Sequence, residues 1–376
     1  MIRTIALALA GSLIGTLTGL TPGLHVNTVC VIGLGLYPKL GLSTIDFGVI
    51  MVAMALTQNF IDFIPSIFTG VPEEETALSI LPAHRLVIGG RAQEAVALTA
   101  YGSLLGVIYS LILLIPTLYI IPIAYETLKG TVMYIVLAAV IVLIIREKNK
   151  AGAVTSFLLA GTLGITTFNL AALSSSEALF PLFTGLFGFS SILTSLNENT
   201  SAKPQKKGIT VKLDKTIAAS GLIGSLCGII VGLLPGMSPS QVGILAYDLL
   251  GSNLRGFLVS VSAINTSDAI YSLISLYTID NPRSGVAAML GQIMEVDYTM
   301  MMLFIGVIGV TAIIATATYL ALGSIAMKFF TKINYRTLNM LILLLMAGLV
   351  YIMTGALGLC LAGISTAIGI IPIRTG

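Results

Sequence analysis

The chain has 376 residues, of which 56% are hydrophobic and 9% are charged, and its formal net charge is +3. Soluble globular proteins carry about 25% charged residues, so this composition excludes an ordinary soluble domain. Apolar runs of about 20 residues, the length that spans a bilayer, recur along the whole chain. The small positive charge lies mostly in loops, which argues for membrane orientation and against nucleic-acid binding.

The first apolar segment, residues 1–20, has the charge, apolar run and small residues of a signal peptide as well as those of a membrane helix. A related copy at residues 224–240 lies deep in the chain, where no signal peptide could be. This favours a membrane helix for both copies. Cysteines are too sparse for a disulfide framework or a thiolate metal site, and each lies in an apolar run: Cys30, Cys227 and Cys360.

A helix break follows this first segment. Glycines recur every four residues, as on the face of a closely packed membrane helix, and Pro22-Gly23 then interrupts the helix. Polar residues follow the break at His25, Asn27 and Thr28. A helix that restarts after such a break directs free N–H groups at an anion, so these residues are predicted to bind substrate. The alternative is a proline kink that only adjusts helix packing.

The next apolar segment carries Asn59 and Asp62, three residues apart and therefore on one helical face. An aspartate within the bilayer costs about 2.5–3.5 kcal/mol on insertion scales, so it normally faces a cavity or a partner. We expect this pair to bind Na⁺ through its oxygens, or H⁺ on the aspartate. Helix capping or interhelical hydrogen bonding is the alternative.

Residues 71–98 are the most polar part of the first half, and Pro72 and Pro82 are predicted to bracket a helix too short to span. Such a segment is either an interfacial loop or a re-entrant hairpin that lines the pathway. Arg85 here, and Arg283 in the analogous residues 279–297, are the candidates for a bidentate contact with a carboxylate.

Residues 197–215 form a polar linker with five lysines, which predicts that it lies on the cytoplasmic side. Beyond it the plan of the first half returns. Residues 224–240 are identical to residues 11–27 at eight of 17 positions, and Asn265 and Asp268 repeat the spacing of Asn59 and Asp62. The second set of substrate-binding candidates is therefore Pro235, Gly236, Ser238 and Ser240.

These matches, in unchanged order, predict a duplicated chain: a first transmembrane repeat over residues 1–170, a connecting apolar segment and basic loop over 171–214, and a second repeat over 215–376. Basic residues cluster at different loops of the two halves, which favours inverted topology because basic loops are retained inside. A parallel repeat is the alternative. Broken helices at corresponding positions of two inverted halves are typical of secondary transporters.

The motifs GLTPGLH at Gly19–His25, GLLPGMSP at Gly232–Pro239 and FPLFTGLFG at Phe180–Gly188 carry a resemblance to a known family. The chain resembles the large membrane subunit of the tripartite tricarboxylate transporter family, and its length is closest to the shorter archaeal branch. The resemblance implies ion-coupled transport of di- or tricarboxylates. Bacterial members work with a small membrane subunit and a periplasmic binding protein; neither partner carries over safely to the archaeal branch.

The sequence therefore predicts an all-α integral membrane protein of roughly ten to twelve spanning or re-entrant segments in the cytoplasmic membrane, in two inverted repeats with broken helices. We expect a secondary transporter of an organic anion with no cofactor beyond Na⁺ or H⁺ as coupling ion, and a homodimer is left open. Because the Pro-Gly motifs are also similar to those of polyprenyl-phosphate transporters, a flippase for an anionic lipid carrier is the main alternative. A membrane scaffold and an intramembrane protease using Asp62 and Asp268 are weaker ones, and no enzyme motif is present.

Overall fold

The computed structural model describes residues 1–21, 26–69, 77–169, 173, 175–195, 205–206, 211–233, 239, 242–243, 253–330 and 335–375. Every regular element within them is helical. The α-helices are α1 (Ile2–Gly19), α2 (Val26–Leu40), α3 (Thr44–Ile61), α4 (Phe63–Thr69), α5 (Ala77–Ile88), α6 (Ala92–Ile112), α7 (Leu114–Leu128), α8 (Val132–Arg146), α9 (Lys150–Asn169), α10 (Ser175–Phe183), α11 (Ser190–Ser195), α12 (Lys215–Leu233), α13 (Leu254–Ile279), α14 (Gly285–Ile293), α15 (Tyr298–Phe330) and α16 (Tyr335–Thr375). A π-helical turn, Thr184–Phe189, joins α10 to α11.

Glycines bring α1 and α3 into close parallel contact. A Cβ added at Gly11 would lie 2.2 Å from the carbonyl oxygen of Ile50, and one at Gly15 would lie 2.2 Å from that of Met54. Because the later glycine of α1 contacts the later carbonyl of α3, the two helices run in the same direction. The glycine face predicted from sequence is thus the face on which these helices pack.

The second half repeats this arrangement with α12 and α13. A Cβ at Gly224 would lie 2.5 Å from the carbonyl oxygen of Ser260, and one at Gly232 would lie 2.9 Å from the Cβ of Tyr271. These two helices are also parallel. The duplicated glycine pattern therefore produces the same helix pair twice, which supports the predicted repeat.

The two halves interlock, because α6 of the first packs on α13 of the second. Gly102 and Gly106 lie against the carbonyl oxygens of Val259 and Ala263, where an added Cβ would come within 2.4 Å of each. The Thr266 hydroxyl also donates to the Ser103 carbonyl across this interface, at 2.8 Å. In the same way, α15 of the second half packs on α3 of the first. The central helices α3 and α13 are thus each flanked by a helix from the opposite half.

Helices α6 and α15 contact each other and run antiparallel. The hydroxyls of Thr99 and Tyr319 are 2.7 Å apart. Val96, which precedes Thr99 in α6, lies against Gly323, which follows Tyr319 in α15. Since α6 is parallel to α13 and antiparallel to α15, the equivalent helices of the two halves point in opposite directions. This geometry supports inverted rather than parallel repeats.

Nine helices in the described part of the chain are long and apolar enough to cross a bilayer, and the sharply bent pair α7–α8 makes a tenth. The prediction of an all-α integral membrane protein is confirmed. The boundaries of the two repeats stay a prediction. One local expectation was wrong: Pro82 does not end the short helix α5, which continues to Ile88 with the proline inside it.

The C-terminal helix α16 packs with α9, α10, α11 and the π-helical turn. Gly185 within FPLFTGLFG lies against the Ala362 carbonyl oxygen, where an added Cβ would come within 2.3 Å. Gly355 breaks α16 with a φ of 66°, a left-handed conformation that glycine adopts without strain. The apolar segment between the halves is therefore a packed membrane element rather than a simple connection.

Candidate functional site

The central helices α3 and α13 cross at the two predicted asparagines. The Asn59 side-chain N–H donates to the Asn265 carbonyl at 3.3 Å, and the Asn265 side-chain N–H donates to the Asn59 carbonyl at 3.4 Å. Both residues are buried. The amide nitrogens thus make the interhelical hydrogen bonds that were the alternative to ion binding. The amide oxygen of Asn59 is buried without a hydrogen-bond partner among the described residues, so it is still available to a cation.

Asp62 caps the C-terminal end of α3, one turn beyond this crossing. Its side chain is 4% exposed, and its N–H donates to the Gln58 carbonyl at 2.9 Å. Helix α4 begins at the next residue, and α3 and α4 together form one apolar span, Thr44–Phe68. Tyr319 of α15 lies within electrostatic range of the carboxylate. A nearly buried aspartate within an apolar span, faced by the opposite half, has the surroundings expected of an ion or proton site.

Asp268 lies on α13 beside the end of α12. A Cβ built on Gly232 would lie 3.6 Å from its Oδ1 atom. The Ser275 hydroxyl donates to the Gly232 carbonyl at 3.0 Å, which satisfies one of the carbonyls that a helix end leaves open. The second predicted aspartate is therefore held next to the point where the second Pro-Gly motif begins.

Helix α1 ends at Gly19, before the first Pro-Gly motif, while α12 is described as far as Leu233 and α2 from Val26 onward. The predicted site residues in the motifs themselves lie outside the described residues: Pro22, Gly23, His25, Pro235, Gly236, Ser238 and Ser240. Thr28 belongs to α2, but its side chain is not described. Of the first motif's polar candidates, the structure describes the surroundings of Asn27.

Asn27 lies against the start of α14, which belongs to the second half. A Cβ on Gly285 would come within 2.1 Å of the Asn27 Oδ1 atom, so only glycine allows this approach. The turn before α14 is held by Ser272 of α13, whose hydroxyl accepts the N–H groups of Arg283 at 2.9 Å and Ser284 at 2.6 Å. The start of α2 and the start of α14 therefore meet, one from each half.

Arg283 stands in this turn, two residues before Gly285. Its Nε atom is buried and has no hydrogen-bond partner among the described residues. Burial lowers the pKa of the guanidinium, and nearby Tyr125 favours its charged form. A buried N–H donor without an acceptor is costly unless a ligand supplies one. Carboxylates match guanidinium geometry well, so Arg283 is suited to hold one.

The two arginine candidates are not equivalent. Arg85 lies on α5 and is exposed, whereas the neighbouring His84 has its Nδ1 atom 2.9 Å from the Ile67 carbonyl oxygen. The structure thus places Arg283 in the turn whose Gly285 contacts Asn27, and leaves Arg85 at the surface. Tyr125 had no sequence signal, because it lies in a Pro-containing apolar helix remote from both repeated motifs.

A second charged group was also missed. Glu94, at the start of α6, is 1% exposed and pairs with two arginines: Arg91 of the preceding turn at 2.6 and 2.7 Å, and Arg255 at the start of α13 at 2.6 Å. Gln205 of the linker binds the same turn, accepting from the Ala92 N–H at 3.0 Å. This cluster joins the two halves on the linker side and is structural.

The similarity to known proteins covers nearly the whole chain. A profile of the tripartite tricarboxylate transporter TctA family matches residues 5–376. The chain is also similar to the uncharacterized protein MJ1079 of Methanocaldococcus jannaschii, with 30% identity over 342 residues, which covers 88% of this chain and 82% of that protein. No solved structure matches the chain.

Proposed function

The chain belongs to the tripartite tricarboxylate transporter TctA family, and on that premise we propose that it is a secondary active transporter of a tricarboxylate-type anion in the cell membrane. The observation that carries the proposal is the position of Arg283. Its buried, open donor belongs to the turn before Gly285, and Gly285 contacts Asn27 of the other half. A binding site between inverted halves is the arrangement that alternating access requires.

The Pro-Gly motifs complete the anion site in this proposal. Backbone N–H groups at the restarting helices would hold further carboxylate oxygens, with help from the polar side chains that follow each turn. These are His25, Asn27 and Thr28 in the first half and Ser238 and Ser240 in the second. A site with one guanidinium and several backbone N–H dipoles binds an anion less tightly than a site with several full charges. Such a site suits a transporter, because the anion must bind and then be released.

We assign the coupling ion to Asp62 and Asp268 with Asn59 and Asn265. The four residues supply oxygen atoms, which are the ligands of hard cations such as Na⁺, and either carboxylate is a proton acceptor. Asp62 is the C-terminal capping residue of α3, and Asp268 lies beside Gly232, near the second Pro-Gly motif. Binding a cation there would offset charge repulsion between the carboxylates and the incoming anion, and so couple the two ligands.

A small membrane subunit and an extracytoplasmic binding protein are partners that the family's tripartite name suggests, and a homodimer is a further assembly. A flippase for an anionic lipid carrier is the alternative transport function. It would use the same helix ends for a phosphate head group, and no described contact favours it over the carboxylate.

The experiment is uptake of labelled citrate by proteoliposomes that contain the purified chain, under imposed Na⁺ or pH gradients. We expect accumulation above equilibrium with one gradient, and inhibition by unlabelled tricarboxylates but not by polyprenyl phosphate. Uptake that ignores both gradients would contradict the coupling. Competition by the lipid phosphate alone would favour the flippase.

A further inference from the structure

A groove of about 310 Å³ lies between the first turns of α6 and the last turns of α15. Its walls include Ala97 and Tyr101 of α6, Gly323 and Met327 of α15, and Val211 of the linker. The Tyr101 hydroxyl donates to the Val211 carbonyl at 3.3 Å, so the linker is fixed along one edge. The volume suits a small ligand or a lipid tail rather than another helix.

The groove has the depth of one leaflet of a bilayer. It extends along α6 from Gln93, at the helix start, to Tyr101, and eight residues of helix span about 12 Å. The hydrocarbon of one leaflet is about 15 Å thick, half of the whole core. Because α6 and α15 are antiparallel, the start of one and the end of the other lie at the same membrane face, where the polar linker also runs.

Two exposed lysines are sequence neighbours of the groove wall. Lys212 and Lys328 each directly follow a residue of the groove wall, and both are exposed. The neighbouring carboxylate of Asp214 accepts the Ile217 N–H at 2.9 Å and so caps α12. The lysines of the basic linker predict that this end lies at the cytoplasmic leaflet, whose anionic lipids attract such residues.

We propose that this groove binds an anionic phospholipid of the linker-side leaflet, with an acyl chain along the apolar wall and the phosphate head group at Lys212 and Lys328. Basic pockets between transmembrane helices on the cytoplasmic side bind such head groups elsewhere. Because the linker joins the two halves and forms one edge, the lipid would bridge α6, α15 and the linker.

The test is native mass spectrometry of the full chain, titrated with phosphatidylglycerol or phosphatidylcholine of equal chain length. The parent should prefer phosphatidylglycerol. The double variant Lys212→Ala/Lys328→Ala should lose about 25-fold in that preference, about fivefold for each lysine near the membrane surface. The control Lys148→Ala/Lys150→Ala removes two exposed lysines beside the start of α9 and should keep it.

A second variant, Ala97→Phe, fills the groove and should lower the occupancy of both lipids. Equal binding of the two lipids by the parent would overturn the proposal. So would an unchanged preference in the Lys212/Lys328 variant, or an equal loss in the Lys148/Lys150 control. If Ala97→Phe does not fold, the surface lysine variants decide the matter, since neither removes a packed side chain.

Discussion

Arg283 and Arg85 occupy related short segments of the two halves but meet different surroundings. Arg283 lies in a turn held by two hydrogen bonds to Ser272, with part of its guanidinium buried. Arg85 is exposed on α5. The sequence predicted both as carboxylate contacts, because spacing and charge type do not reveal which side chain the packing withdraws from water.

Neutralising the two arginines should therefore give different results. Arg283→Gln should weaken citrate binding by about 1.5–3 kcal/mol, the usual contribution of a hydrogen bond to a charged group, which is roughly 10- to 150-fold in Kd. Arg85→Gln should stay within about 0.5 kcal/mol of the parent, as surface substitutions do. Isothermal titration of both purified variants measures this. Equal losses would show that Arg283 has no special role.

At the scale of elements, the glycine positions decide which helices meet. Gly106 and Gly306 are equivalent in the repeat, yet only Gly106 lies against a neighbouring backbone, that of Ala263; Gly306 has open space around it. The repeat was predictable from sequence because identical residues recur in order. Which copy of each glycine carries a contact was not, since that depends on helices from the other half.

Substituting these two glycines should separate packing from helix propensity. Gly106→Ala would place a Cβ 2.4 Å from the Ala263 carbonyl oxygen and force α6 away from α13, which should cost about 1–3 kcal/mol as in other overpacked sites. Gly306→Ala should be neutral or stabilising by up to about 1 kcal/mol, because alanine favours a helix. Thermal unfolding in detergent compares them. Matching melting temperatures would contradict the described α6–α13 interface.

On the scale of the whole molecule, antiparallel equivalent helices imply that the two halves enter the membrane from opposite sides. Composition and apolar run length were sufficient to predict the membrane class, and charge asymmetry was sufficient to favour inversion. The interlocking of α6 with α13, and the antiparallel contact of α6 with α15, could not be predicted, because tertiary pairing leaves no periodic signal in the chain.

Topology can be tested with a matched pair of lysines, Lys39 before α3 and Lys212 before α12, both exposed. In a background with Cys360→Ser, Lys39→Cys and Lys212→Cys should react with a membrane-impermeant thiol reagent from opposite faces of sealed vesicles. Cys30 and Cys227 are buried and should react slowly. Labelling of both new cysteines from the same side would favour parallel repeats.

The measurement that tests the proposed coupling most directly is gradient-driven citrate accumulation in proteoliposomes with Asp62→Asn, Asp268→Asn and the control Asp280→Asn. Asp280 is exposed and has a φ of 47°, a conformation that asparagine tolerates well. Asp62→Asn and Asp268→Asn should still exchange internal for external citrate but should lose accumulation under a Na⁺ or pH gradient, while Asp280→Asn behaves like the parent. Accumulation at the parent's level in both buried variants, across pH and Na⁺ concentration, would contradict the account.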